Sequence, residues 1–299
     1  MSLMDMMKKA IKNEGYVIKP LELYLLSLSA TDEDRAIDVN APSQIGSCLR
    51  SRYYARTGAE RDEHSIEART RRIFDNGTGV HERLQAYLKD CGMLLMDEVP
   101  ILNDDYNIQG HTDGILKLSD SELGVLEIKS INSRGFSELK SEKPEHKKQG
   151  LVYLFCLESR RQYLQKKYST EEKFNLSILA RRRRFASYYD HLKDGSKFTA
   201  KEKKMFQVDL CCQADKLLYH CKEPITKVIF LYENKDTQDL KEYCVRSSDP
   251  SAIEVMKDIL SECKELNECV AKKKVPPREG KSKSDNLCRW CSFKTECWN

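Results

Sequence analysis

The sequence predicts an α/β fold, with helices towards both ends of the chain and strands gathered in its middle. Three observations predict it. Apolar residues recur at helical spacing in Ile73, Val80, Leu84 and Leu88, and the pattern then shortens to period two between Glu98 and Ile131. A strand-like run, KVIFLYENK (227–235), follows a second long stretch of helical character. With 299 residues, 40% of them hydrophobic, the chain can bury an ordinary core.

The first stretch reads as helical and pauses at Asn40-Ala41-Pro42-Ser43, where Ser43 can cap a helix running through Ile45, Cys48, Leu49 and Tyr53. A second helix is expected from about Glu67 to Asp90, although Gly77 and Gly79 each cost helix stability. Three strands follow: EVPIL, YNIQGHTDGILKL and LGVLEIKSI, the last two joined by the polar turn at 119–122 as an antiparallel hairpin. Pro144 opens a helix through Gln149, Leu151, Tyr153, Leu154 and Leu157, its fixed φ suiting the first turn. A basic, mostly helical segment leads to KVIFLYENK, and a final helix spans about Ser251–Ala271. The run KKKVPPREGKSKSDN after it is too polar, and too rich in Pro and Gly, for regular structure. There is no internal repeat. We read one domain over 1–299: a helical part (1–73) carrying Cys48, a core (74–247) with a basic helical insertion at about 160–222, and a C-terminal helix and tail (248–299).

Net charge is only +4, but 33% of residues are charged, and the basic ones cluster in RTRR (69–72), RRRR (181–184), KEKK (201–204) and KKK (272–274). Such patches attract a polyanion through counterion release, or they are solvated faces. No run approaches the roughly 18 uncharged apolar residues of a membrane span, and MSLMDMMKKAIKNEGY lacks the apolar core of a signal peptide. A cytoplasmic protein without membrane partners is expected. Its 12 cysteines then read as reduced thiols or metal ligands rather than a disulfide framework.

In a strand, residues two apart share a face, so Glu127 and Lys129 project together while Ile128 points into the core. A turn centred between Asp120 and Ser121 places Asp113 opposite Glu127 or Ile128. Two converging carboxylates repel unless a cation lies between them, and hard oxygen donors suit Mg2+ or Mn2+. Such an ion polarises a phosphate and acidifies an attacking water, while Lys129 orients that water or offsets developing charge. Taken alone, a Glu-x-Lys triplet is more commonly a hairpin salt bridge.

The wider pattern resembles a known family. The ordered set Gly77-x-x-x-His81, Gly110-x-x-Asp113-Gly114, Glu127-x-Lys129 and Gln149-x-x-x-Tyr153 resembles the PD-(D/E)XK nucleases of the RecB branch. The resemblance implies a restriction-endonuclease-like mixed central sheet flanked by helices. It implies a metal bound by His81, Asp113, Glu127 and the backbone of Ile128. Asp113, Glu127, Lys129, Gln149 and Tyr153 would be the catalytic set, with Gln149 and Tyr153 holding substrate and catalytic groups. Gln149 and Tyr153 share a helical face, with His146 one turn earlier.

The tail carries a second pattern. Cys288-x-x-Cys291 and Cys297 put three thiols in ten residues, and a fourth ligand must come from elsewhere. The arrangement resembles the iron–sulfur RecB-type exonucleases, including the CRISPR-associated exonuclease family and the AddB nuclease domain. There, one upstream cysteine joins three that close the chain, and Cys48 stands in the upstream place. The resemblance implies a [4Fe–4S] cluster that clips a C-terminal tail to the helical N-terminal region, although four thiolates also make a structural zinc site.

Arg181, Arg182, Arg183 and Arg184 precede Phe185, Tyr188 and Tyr189, a mixture of cations and rings that fits single-stranded DNA or a solvated helix face equally. The expected activity is metal-dependent hydrolysis of DNA, with exonuclease action on single strands or free ends implied by resemblance. Recombination, repair or CRISPR-adaptation proteins are the expected partners. The competing class is a non-catalytic DNA-binding or scaffold subunit that keeps the fold.

Overall fold

Aliphatic and aromatic residues are concentrated in five runs that build one sheet, and helices supply the remaining layers. The computed structural model describes residues 17–29, 38–62, 68–183, 200–289 and 291–299. Along the chain the elements are α1 (Ile18–Ser29), α2 (Leu49–Thr57), α3 (Ala68–Asp90), β1 (Leu94–Asn103), β2 (Ile108–Lys117), β3 (Leu123–Ile131), α4 (Ser133–Glu138), α5 (Pro144–Lys167), α6 (Glu171–Arg183), α7 (Ala200–His220), β4 (Lys227–Asn234), β5 (Leu240–Arg246), α8 (Pro250–Ala271), α9 (Asn286–Arg289) and α10 (Lys294–Trp298). They fall into two units. The first draws on the chain up to Val39, Ser47–Arg83 and Glu268–Asn299; the second comprises Asn40–Gly46 and Leu84–Asn267.

In the second unit the sheet order is β1-β2-β3-β4-β5. All neighbours are antiparallel except β3 and β4, so the sheet is mixed and the fold is α/β. A parallel pair needs a crossover, and α4 to α7 supply it. Central strands covered on both faces read as continuous apolar runs. Accordingly Val125, Leu126 and Ile128 of β3, and Val228, Phe230 and Tyr232 of β4, are almost fully buried.

Helix α5 covers this centre. Pro144 and Glu145 suit its first turn and Lys166 and Lys167 its last, in agreement with the helix dipole. It buries Leu151, Val152, Leu154, Cys156, Leu157 and Leu164. Gly150 is what lets it lie close to the sheet, because a Cβ there would stand 2.7 Å from Phe230 Cζ and 2.8 Å from Val228 Cγ1.

The first unit is helical and closes through its tail. Asp62 accepts hydrogen bonds from the backbone N–H of Lys294 (2.9 Å) and Thr295 (3.2 Å), at the start of α10. Phe293 lies 6.0 Å from Tyr54, ring centre to ring centre, and Glu279 accepts from the N–H of Leu49 at 2.5 Å.

Two expectations change. The helix expected to run from Ser43 through Tyr53 is split: Pro42–Gln44 form a 3-10 turn, Ile45 is extended, and Gly46 takes a φ of 90°. Helix α2 restarts at Leu49 with Cys48 at its N-cap. Strand β5 was not expected, because only Val245 of its residues is buried and its side chains are mostly polar. No helix among the described residues is long and apolar enough to cross a membrane.

The α5–sheet contact predicts that Gly150→Ala lowers stability by about 1–3 kcal/mol, since the added methyl meets rigid core atoms. Chemical denaturation measures this directly, and wild-type stability would mean the helix can shift outward without loss.

Candidate active site and cysteine-lined cavity

Glu127 interrupts the apolar run of β3. It is 1% exposed. A carboxylate so placed is unstable without a counter-charge, and Lys129, on the same face of the strand, brings its ammonium within 2.6 Å of Oε1.

Asp113 reaches the same region from β2. The β2–β3 ladder runs from Lys117–Leu123 to Gly114–Leu126, and side chains take over from there. Thr112 Oγ1 donates to the Leu126 carbonyl at 3.0 Å, and Asp113 Oδ2 accepts from the Ile128 N–H at 2.6 Å. Extending the register by one pair sets Asp113 across from Glu127. Because the N–H and C=O of one strand residue point to the same side, the Ile128 carbonyl faces the side from which Asp113 comes. Gly114 allows this geometry, since a Cβ there would meet the Leu94 side chain and the Met96 carbonyl oxygen at 2.9 Å.

Strand β1 adds a third carboxylate. Asp97 pairs with Gly114 and Val99 with Thr112, so Glu98 lies across from Asp113, in the left-handed region at φ 45°. Gln85 of α3, 6% exposed, donates to the Asp113 carbonyl at 2.8 Å and reaches Glu98 Oε1 at 3.4 Å. No motif singles out either residue. The legible signal is a change of phase in β1, whose buried residues are Leu94 and Met96 and then Val99 and Ile101, the mark of an irregular strand.

Helix α5 presents Tyr153 and Gln149 to these acids. Gln149 Nε2 donates to the Tyr153 hydroxyl at 2.7 Å. Burial first, then the Glu127 carboxylate, pushes the phenol far above its ordinary range, with Asp113 and Glu98 adding to the effect. Tyr153 therefore stays protonated, and its own hydrogen remains to be donated.

One turn earlier, the Lys143 N–H donates to the Tyr232 hydroxyl (3.1 Å), which shares a hydrogen bond with His146 Nδ1 (2.8 Å). Burial, then the Lys129 charge, pushes the His146 pKa down to about 4.

The other expected residues are placed as follows. His81 is half-buried on α3, one turn before Gln85, and belongs to the first unit. Arg181 is 2.7 Å from Asp215 and Arg182 is 2.6 Å from Asp209, so both tie α6 to α7. Arg184, Phe185, Tyr188 and Tyr189 lie outside the described residues.

The acids fit a divalent ion by donor chemistry. No three His, Cys, Asp or Glu side chains among the described residues are grouped to hold a metal ion. Magnesium seldom needs such a cage: it keeps waters and takes one or two carboxylates plus substrate phosphates. Asp113 and Glu127 offer that set.

Within the first unit, Cys48, Cys288, Cys291 and Cys297 all line one cavity. Burial raises the Cys48 thiol pKa, while the backbone N–H groups of Ser51 and Arg50, in the first turn of α2, pull it down. Cys291 Sγ lies 3.6 Å from Ser51 Oγ, and Cys297 Sγ lies 3.9 Å from Arg50 Nη1. Gly280 is required here, because any Cβ on it would collide with Cys288 Sγ. Four soft donors suit an iron–sulfur cluster or zinc.

No family model matches the sequence, and no curated protein does. Among solved structures the chain is similar to SSO0001, at 15% identity over 95% of this chain and 96% of that one, with a TM-score of 0.45. It is also similar to an alkaline exonuclease (LHK-Exo) from Laribacter hongkongensis, at 12% identity over 80% of this chain and 92% of that one, with a TM-score of 0.39. The same exonuclease in complex with dAMP gives 14% identity over 80% and 92%, with a TM-score of 0.40.

His146 makes stability depend on pH. Its folded pKa, about 4, lies below the ordinary 6.5, so between these values the unfolded chain binds more protons. The contribution is complete above about 6.5 and is lost as pH falls towards 4. Thermal unfolding across this window should show a smaller fall in Tm for His146→Gln than for wild type. Equal slopes would remove the imidazole as a source.

Proposed function

We propose that the protein is a divalent-metal-dependent DNA nuclease of the RecB type, acting as an exonuclease on single strands or free ends. One observation carries the reading: the Asp113 carboxylate bonds the amide that lies between Glu127 and Lys129, at the point where β2 stops pairing with β3. Two acids and a lysine thus converge from neighbouring strands at a break in the sheet.

Asp113, Glu127 and the Ile128 carbonyl would hold a magnesium or manganese ion, with His81 the nitrogen ligand that the family resemblance implies, and the ion would supply Lewis acidity towards the scissile phosphate and a more acidic water. The chain's own groups do the rest. Lys129 supplies the counter-charge to Glu127 and offers hydrogen bonds to the attacking water or to the phosphate. Tyr153, fixed by Gln149, donates its hydrogen to a phosphate oxygen. His146, neutral because burial and the Lys129 charge lower its pKa, is held through Nδ1 by the Tyr232 hydroxyl.

Arg182 contributes less to DNA binding than its charge implies, because Asp209 pairs with it, whereas Arg181 shares Asp215 with Arg160 and that cluster keeps a net positive charge. The four cysteines hold a [4Fe–4S] cluster with a structural role, which ties residues far apart in sequence and restricts the unfolded chain. The biological setting is cytoplasmic, in recombination, repair or CRISPR adaptation.

Asp113→Asn should lower cleavage of end-labelled DNA by about 100-fold or more in Mg2+ or Mn2+ while leaving the visible absorption of the cluster intact. Wild-type protein that binds DNA but cleaves none with either ion would favour a scaffold role instead.

Cys288→Ala should lose iron and thermal stability together. Wild-type melting with full iron in that variant would overturn the structural role of the cluster.

A further inference from the structure

We infer that Arg50 is the charge-balancing donor of the sulfur centre, its guanidinium serving the ligand sulfurs through hydrogen bonds and its fixed positive charge. The inference rests on the reading that the four cysteines hold an iron–sulfur cluster.

Arg50 stands in the first turn of α2, two residues after Cys48. Its Nη1 lies 3.9 Å from Cys297 Sγ, and its Cζ lies 6.0 Å from the centre of the Tyr54 ring. Its Nε is buried and has no hydrogen-bond partner. A buried guanidinium N–H without an acceptor is rare in folded proteins and calls for an explanation, such as an acceptor that arrives with a bound group. Here the neighbouring atoms that could bring one are the cysteine ligands.

Charge points the same way. Four thiolates around a [4Fe–4S]2+ core leave two net negative charges in a half-buried cavity. The acids nearby worsen the balance, since Glu279 acts on Cys48 and Glu296 on Tyr54. Arg278, which lines the cavity, turns its Nε to the Cys297 carbonyl at 2.8 Å, and its Cζ lies 4.8 Å from the Trp298 ring centre. Lys294 lines the cavity as well, and what distinguishes Arg50 is an Nη1 3.9 Å from a ligand sulfur together with a buried Nε that has no acceptor. An arginine suits the role because it cannot lose its proton and is weakly hydrated. Hydrogen bonds and charge at the sulfurs are also what set the reduction potential of such a cluster.

A nearby cation favours the reduced, more negative cluster. Arg50→Met keeps the apolar stem and removes charge and donors, so its reduction potential should be more negative than wild type and its iron should be lost in air several-fold faster. Arg50→Lys keeps the charge without the forked donor and should fall between the two. The measurements use full-length protein purified without oxygen: iron and acid-labile sulfide content, a redox titration followed by electron paramagnetic resonance, and iron release to a chelator. Wild-type protein that carries zinc and no iron would overturn the cluster reading itself. Wild-type protein with a full cluster, beside an Arg50→Met variant of unchanged potential and iron-loss rate, would overturn only the role of Arg50. If Arg50→Met does not fold, Arg50→Lys decides: an intermediate shift supports the role, and wild-type values overturn it.

Discussion

A charged carboxylate in an apolar strand is the constraint around which the second unit is arranged. Glu127 sits among Val125, Leu126 and Ile128, where a lone negative charge would be strongly disfavoured. Lys129 answers that on the same strand, so the pair enters the core together. The break in the β2–β3 ladder is the second answer. Where the strands stop exchanging backbone bonds, Thr112 and Asp113 satisfy β3 through their side chains, and the carboxylates come to face one another. An uninterrupted ladder would use the same backbone groups and leave no polar gap.

Much of this was legible in advance. Period two places Glu127 and Lys129 on one face, and the turn at 119–122 fixes which residue of β2 they meet, to within one position. The register actually pairs residues about Asp120, half a residue from the expected centre. The extent of α3 and α8 and the start of α5 follow from apolar spacing and end signals, whereas α5 runs on to Lys167, into the stretch expected as the basic insertion. What escaped detection depends on partners distant in sequence. The roles of Gln85 and Glu98 come from β1 changing phase beside β2, which no local propensity encodes. Arg181 and Arg182 look like a free basic run until α7 brings Asp215 and Asp209 against them. Strand β5 is an edge strand with little to bury, so its alternation is faint. The break at Gly46 was hidden because a helical reading of Ser43 to Tyr53 costs only one poorly tolerated residue.

The two candidate centres differ in the hardness of their donors. One presents carboxylates and a backbone carbonyl, the other four sulfurs. Soft metals prefer thiolate and hard ones oxygen, so the two donor sets suit different metals. The tyrosine and histidine beside the acids are held neutral by burial, so the counter-charge to Glu127 comes from Lys129.

The discontinuity of the first unit bears on the order of biosynthesis. Cys48 is made early, whereas Cys288, Cys291 and Cys297, together with the Glu279, Phe293 and Thr295 contacts that seat the tail, are made after the whole sheet-bearing unit has been translated. Domains fold as they emerge from the ribosome. The inserted unit can thus mature while the helices around Cys48 still lack their closing segment. On the cluster reading proposed above, assembly of the sulfur centre would be a late event, open only to chains synthesised to Cys297.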